Sequence, residues 1–154
     1  MDLPGTKLAR IFALYCGLLA GGSAQAVVID IDNGELAKLM ATGVALIDIR
    51  TAPEWQQTGV VPGSHLLTFF DERGHADPGA WVAKARAIAK PGEPLIVICR
   101  TGNRTKAVSQ FLSDQVGYAK VYNVKSGIVA WARENRALAP PSQHVAGCRA
   151  PNAC

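Results

Sequence analysis

The run Leu95–Ile98 limits the possible folds of this chain more than any other feature. It is four apolar residues in a row, entered from Pro91-Gly92 and ending directly on Cys99. A strand without polar alternation is buried on both faces, as in a parallel sheet covered by helices on each side. Residues 44–49 repeat the pattern with Asp48 as their single polar member, and Val27–Ile31 and 121–124 read as further strands. Residues 64–69 read as a third strand in chain order, after the turn-rich stretch 59–63.

Helical signals fall between these runs. Asp32 caps a helix with Glu35 in capping-box position, Leu36, Leu39 and Met40 form its stripe, and Gly43 closes it. Residues 51–58 are a loop or short helix opening at Pro53. Asp77-Pro78 starts a helix to about Ala89, with Trp81, Ala85 and Ile88 facing inward. A helix from Asn103 or Arg104 puts Val108, Phe111, Leu112 and Val116 on one face, and a last helix runs from Gly127 to about Arg136. Strands alternating with helices imply an α/β fold, a mostly parallel sheet flanked by helices on both faces. Ligands of such sheets sit beyond the carboxyl ends of the strands, and Cys99 stands at one.

The ends of the chain read differently. Lys7 and Arg10 precede a short apolar core, 11–19, and Gly21-Gly22-Ser23 leads into Ala24-Gln25-Ala26, a small-x-small pattern. This is the form of a cleavable signal peptide over 1–26, cut after Ala24 or Ala26, and it implies a periplasmic or otherwise exported protein. The apolar core is shorter than the ~20 residues a bilayer span needs, so no stable membrane insertion is expected after processing. An uncleaved N-terminal anchor is the alternative. Tyr15 occupies the place of the small residue expected before a lipidated Cys16. The globular domain is 27–136, and 137–154 is a tail carrying Cys148 and Cys154. In an oxidising compartment the tail admits three states: a Cys148–Cys154 bridge, unpaired thiols, or a resolving role toward Cys99. No CxxC pair exists, so the spacing forms no zinc site, and neither a metal nor a cofactor is expected. The formal charge is +4, about +3 without Asp2, Lys7 and Arg10, with no run of five like charges. That scatter argues against a nucleic-acid partner and suits a small anionic substrate.

The chemistry gathers in Cys99-Arg100-Thr101-Gly102-Asn103-Arg104-Thr105, between a buried strand and an amphipathic helix. A loop at a helix N-terminus aims backbone N–H groups at one centre, and Gly102 allows the conformation this requires. The helix end and the flanking Arg100 and Arg104 favour a thiolate, the form in which a cysteine is a nucleophile. They also favour an anionic sulfur donor. No histidine or general base is required, because the nucleophile is already ionised. A lone cysteine ending a core strand is ordinarily a small buried hydrophobe. Arg, Gly and Arg after it at a strand-to-helix junction shift the balance to function. Asp48, Arg50 and Glu54 are expected to pair or cap as structural support around the site. Trp55, Trp81 and Trp131 are expected in core or rim packing and His65 in a structural role, and His75 is assigned no role at the site.

Three ordered motifs resemble the rhodanese family. Asp48-Ile49-Arg50, Pro53-Glu54-Trp55 and Gly59-Val60-Val61-Pro62-Gly63-Ser64 are similar to its N-terminal signature. Cys99 to Thr105 is similar to its active-site loop, and Ser126-Gly127-Ile128-Val129-Ala130-Trp131 to its C-terminal signature. The resemblance implies a five-stranded parallel sheet and a sulfurtransferase of the thiosulfate:cyanide type. Sulfane sulfur would pass from a donor such as thiosulfate to cyanide or a thiol through a persulfide on Cys99. Arg100, Thr101, Gly102, Asn103, Arg104 and Thr105 would form the substrate-binding loop. The basic loop favours thiosulfate over mercaptopyruvate. Val60 stands where the family often has His, and Ser126 replaces the first of a usual Gly pair.

Three rival readings use the same residues: a non-catalytic binding or regulatory module, a thiol redox protein, and a Cys-based phosphatase. Phosphatase loops resemble Cys-x5-Arg, whereas Cys99 and Arg104 enclose four residues. The smaller ring suits a sulfur atom better than a tetrahedral phosphate.

Overall fold

The computed structural model describes residues 26–143. Five strands form one sheet: β1 (Val27–Ile31), β2 (Ala45–Asp48), β3 (His65–Leu66), β4 (Leu95–Ile98) and β5 (Lys120–Val124). Their order is β1-β5-β4-β2-β3, and every pairing is parallel. The helices are α1 (Asn33–Ala41), α2 (Ala52–Thr58), α3 (Pro78–Ile88), α4 (Asn103–Phe111) and α5 (Gly127–Arg133). No helix of the described residues is long and apolar enough to cross a membrane.

The fully buried β4 explains why its sequence lacks alternation. Leu95 and Val97 face a core with Ile47, Trp81, Ala85, Val108 and Leu112, so α3 and α4 cover that side. Ile96 and Ile98 face Ile31, Leu36, Leu46, Ile128 and Trp131, beneath α1 and α5. Each such side chain removed from water contributes about 1.5–3 kcal/mol before ordering costs.

The capping box expected for α1 is present: Asp32 Oδ1 accepts from the Glu35 amide at 2.9 Å, and Glu35 Oε2 accepts from the Asp32 amide at 3.2 Å. Several details differ from the sequence reading. β3 keeps only two paired residues instead of six, because the chain then leaves the sheet edge to reach Asp48 and Ile49 through the Leu67 and Phe69 amides. Ile88 is only partly buried. The helix expected through Val116 widens into a π turn over Leu112–Val116, closed by left-handed Gly117. α5 stops at Arg133, where Asn135 turns left-handed (φ 54°) and the Trp131 indole donates to the Ala137 carbonyl at 2.8 Å. The stretch from Ala137 also packs on the domain, as Val60 and Ala139 form an isolated antiparallel bridge. Val60 is buried there. Residues 1–25 of the expected signal peptide and both tail cysteines, Cys148 and Cys154, lie outside the described residues.

Register brings the three motifs to one edge. Asp48 pairs with Ile98 at the carboxyl ends of β2 and β4, which sets Arg50 and α2 beside Cys99. β5 runs alongside β4 and delivers the α5 start to the same edge.

Candidate active site

Cys99 follows the last residue of β4 and is 1% exposed. Its Sγ accepts from the Gly102 amide at 3.2 Å and lies 3.5 Å from Thr105 Oγ1. Thr105 in turn donates to the Gly102 carbonyl at 3.0 Å, so the loop closes on the sulfur. Gly102 caps α4 in the left-handed conformation (φ 93°), and a Cβ there would run into the Lys125 carbonyl. Arg100, Thr101 and Asn103 are exposed around the loop, whereas Thr105 is buried beneath it.

The loop is held from behind by α5. The Ile128 amide donates to the Cys99 carbonyl at 2.9 Å, and the Val129 amide to the Arg100 carbonyl at 3.2 Å. A Cβ on Gly127 would meet those same two carbonyls, and Gly127 carries the left-handed φ of 59°. Ser126 keeps an ordinary backbone conformation, so its replacement of a glycine leaves this contact in place.

Glu54 and Arg104 close the front. Arg104 forks onto both Glu54 oxygens at 2.6 and 2.9 Å, and Glu54 Oε2 also accepts from the Thr51 amide at 3.0 Å, completing an α2 capping box. Burial opposes ionisation of Glu54, but Arg104 and Thr51 outweigh it and hold its pKa at about 2, from an ordinary 4.5. Hydrogen bonding to Glu54 raises the Arg104 pKa, burial opposes this, and the adjacent Cys99 adds to the rise. The folded Glu54 pKa lies below the unfolded one. Its stabilisation is therefore complete above about pH 4.5 and is lost as the pH falls toward 2. Melting temperatures of wild type and Glu54→Gln are expected to converge over that window. A gap independent of pH would remove the ionic contribution.

Behind this pair, Asp48 and Arg50 are 0% and 1% exposed and form a buried ion pair at 2.7 Å. Arg50 also donates to Thr58 Oγ1 at 2.6 Å and to the Gly59 carbonyl at 2.9 Å, tying the α2 C-terminus to β2. Sequence reasoning did not single out Thr51, although Thr-x-x-Glu is a capping-box signal. It also missed Asp71 and Glu72, which line a cleft of about 470 Å³ with Glu54, Arg100, Thr101 and Arg104. Nothing local marks them, because a long loop brings them there. His75 sits on that loop but lines the neighbouring depression over Trp81, away from Cys99. Trp81 and Trp131 are buried in the packing, and Trp55 is partly buried.

The chain matches the rhodanese-like domain family over residues 32–134. It is 32% identical to a sulfurtransferase of Allochromatium vinosum over 75% of this chain and 98% of that one. It is 31% identical to the thiosulfate sulfurtransferase GlpE of Pseudomonas savastanoi pv. phaseolicola, over 60% of this chain and 76% of that one. The solution structure of the polysulfide-sulfur transferase homodimer of Wolinella succinogenes aligns with a TM-score of 0.57 at 21% identity, covering 75% of this chain and 81% of that one. The matched span runs from the Asp32 cap to the end of α5 and holds the whole cysteine loop with its supports: this chain belongs to the rhodanese-like domain family.

Proposed function

We propose that the protein is a sulfurtransferase that carries sulfane sulfur on Cys99, taking it from a small anionic donor such as thiosulfate and giving it to cyanide or a thiol. The observation that carries this reading is the four-residue ring between Cys99 and Arg104, with the Gly102 amide on the sulfur and a guanidinium at the rim. The Cys99 thiolate attacks the outer sulfur of thiosulfate, a new S–S bond forms, and the old bond's electron pair leaves on sulfite. The acceptor then attacks the outer sulfur of the persulfide, and that bond's pair returns to Cys99 as the thiolate. Loop N–H groups, the α4 N-terminus and Arg104 offset the negative charge on both sulfur species. Among the rivals, the small ring disfavours a phosphatase, and a retired module has no use for a cysteine held this way.

Thiocyanate release from thiosulfate and cyanide tests the reading, and its absence would refute that donor–acceptor pair. Arg104→Ala is expected to lower kcat/KM for thiosulfate by about 1–3 kcal/mol, because it removes a charged partner and leaves Glu54 facing the anion. An uncharged sulfane donor should suffer much less. Equal losses with both donors would reduce Arg104 to a loop-folding role.

Export belongs to the same proposal, on the strength of the signal pattern in 1–26. N-terminal sequencing of protein from the envelope fraction should begin after Ala24 or Ala26. An intact Met1 would count against it.

A further inference from the structure

Arg100 stands between two clefts. One is the mixed cleft with Asp71, Glu72 and Arg104, and the other is a groove of about 520 Å³ between α2 and α5. The groove is walled by Gln57 and Thr58 on the α2 side and by Ile128, Val129 and Ala132 on the α5 side. Three arginines border it, and they differ in kind. Arg50 is bound to Asp48 across the buried ion pair. The Glu54 carboxylate that reaches the groove is neutralised by Arg104. Arg100 and Arg133 are exposed, and among the described residues neither has a carboxylate within ion-pair distance. The groove therefore offers an apolar wall flanked by two uncompensated positive charges. It also adjoins the Cys99 loop, because Arg100 lines it and the Ile128 and Val129 amides hold the Cys99 and Arg100 carbonyls.

We propose that this groove binds the acceptor, and that the acceptor is a small thiol carrying carboxylates, with Arg133 setting the specificity. This rests on the sulfurtransferase reading and extends it. Cyanide has no aliphatic part to cover Val129 and Ala132 and no carboxylate to pair with Arg133. A thiol with carboxylates along a short flexible body has both, and places its charges at Arg133 and Arg100. The opposite cleft is lined by polar and charged residues alone and offers no apolar wall for such a body. The transfer is balanced without oxidant or reductant: the acceptor thiolate bonds to the outer sulfur, the Cys99–sulfur bond breaks, and its electron pair returns to Cys99.

The test uses the full chain preloaded with thiosulfate and follows unloading by glutathione, by a glutathione diester lacking the free carboxylates it masks, and by cyanide. Arg133→Ala should raise KM for glutathione about 5- to 20-fold, the range of one exposed-to-partly-buried charge contact. It should change the diester much less and leave cyanide unaffected. Ala132→Trp, which fills the groove from an exposed helix position, should slow both thiols while cyanide still unloads the enzyme. Equal effects on all three acceptors, or none with either variant, would overturn the groove assignment. Wild-type protein that loads no sulfur would instead defeat the sulfurtransferase reading, and the groove assignment with it.

Discussion

Cys99→Ser is expected to abolish sulfur loading and thiosulfate:cyanide transfer while the protein stays folded. The hydroxyl is nearly isosteric and keeps both neighbours, since the Gly102 amide can donate to it and Thr105 lies within reach. It is not ionised near pH 7, however, and an alcohol cannot form the persulfide. Stability should change by no more than about 1 kcal/mol, the size of one ordinary hydrogen bond. Activity and stability thus separate at this position. Substantial residual transfer by Cys99→Ser would sink the mechanism, and unfolding would leave the cysteine as packing alone.

Asp48→Ala carries the largest expected cost in stability. Arg50 is 1% exposed, and without Asp48 its guanidinium keeps only Thr58 and two backbone carbonyls, at Glu54 and Gly59. Removing one member of a buried ion pair costs about 3–5 kcal/mol, since the remaining charge stays out of water. For a domain of this size that lowers the melting temperature by about 10 °C or more. The double variant Asp48→Ala/Arg50→Met removes the stranded charge and should recover much of the loss. Thermal unfolding of the two variants decides it. A single variant within about 1 kcal/mol of wild type would mean that Arg50 finds solvent and that the pair does not hold α2 in place.

These two positions mark what the sequence could and could not tell. The strand-to-helix junction at Cys99 was legible because its signals are local: a continuous apolar strand, a glycine and two arginines within six residues. The sheet was legible for the same reason, as burial on both faces suppresses alternation in β4. β3 was overestimated because the end of an edge strand depends on its neighbour: beyond Leu66 the Leu67 and Phe69 amides bond to Asp48 and to Ile49 just past β2, which leaves no mark in the strand's own residues. The pairing or capping expected of Asp48, Arg50 and Glu54 names no partners, and only the fold assigns them. Arg50 turns to Asp48, and Glu54 reaches fifty positions along the chain to Arg104. The need for glycine at 127 is equally remote, since it arises from carbonyls at Cys99 and Arg100. The π turn after α4 continues the apolar stripe of Val108 and Leu112, so periodicity alone reads it as ordinary helix.

Rim and core also divide the labour at the site. The Asp48–Arg50 pair is sealed and fixes where α2 begins and ends, whereas Glu54–Arg104 is part-exposed and sits where a donor anion would arrive. On the proposed reading an incoming anion would compete with Glu54 for Arg104, which would link donor binding to the α2 capping box. The proposed acceptor groove lies on the far side of Arg100, so the two half-reactions use different walls of one loop.

The central claim is a sulfur atom held covalently on Cys99, and intact mass spectrometry after incubation with thiosulfate tests it most directly. The expected result is one added sulfur per chain, mapped to the peptide containing Cys99 and removed by cyanide. An unchanged mass, or sulfur that maps to another residue, would contradict the account.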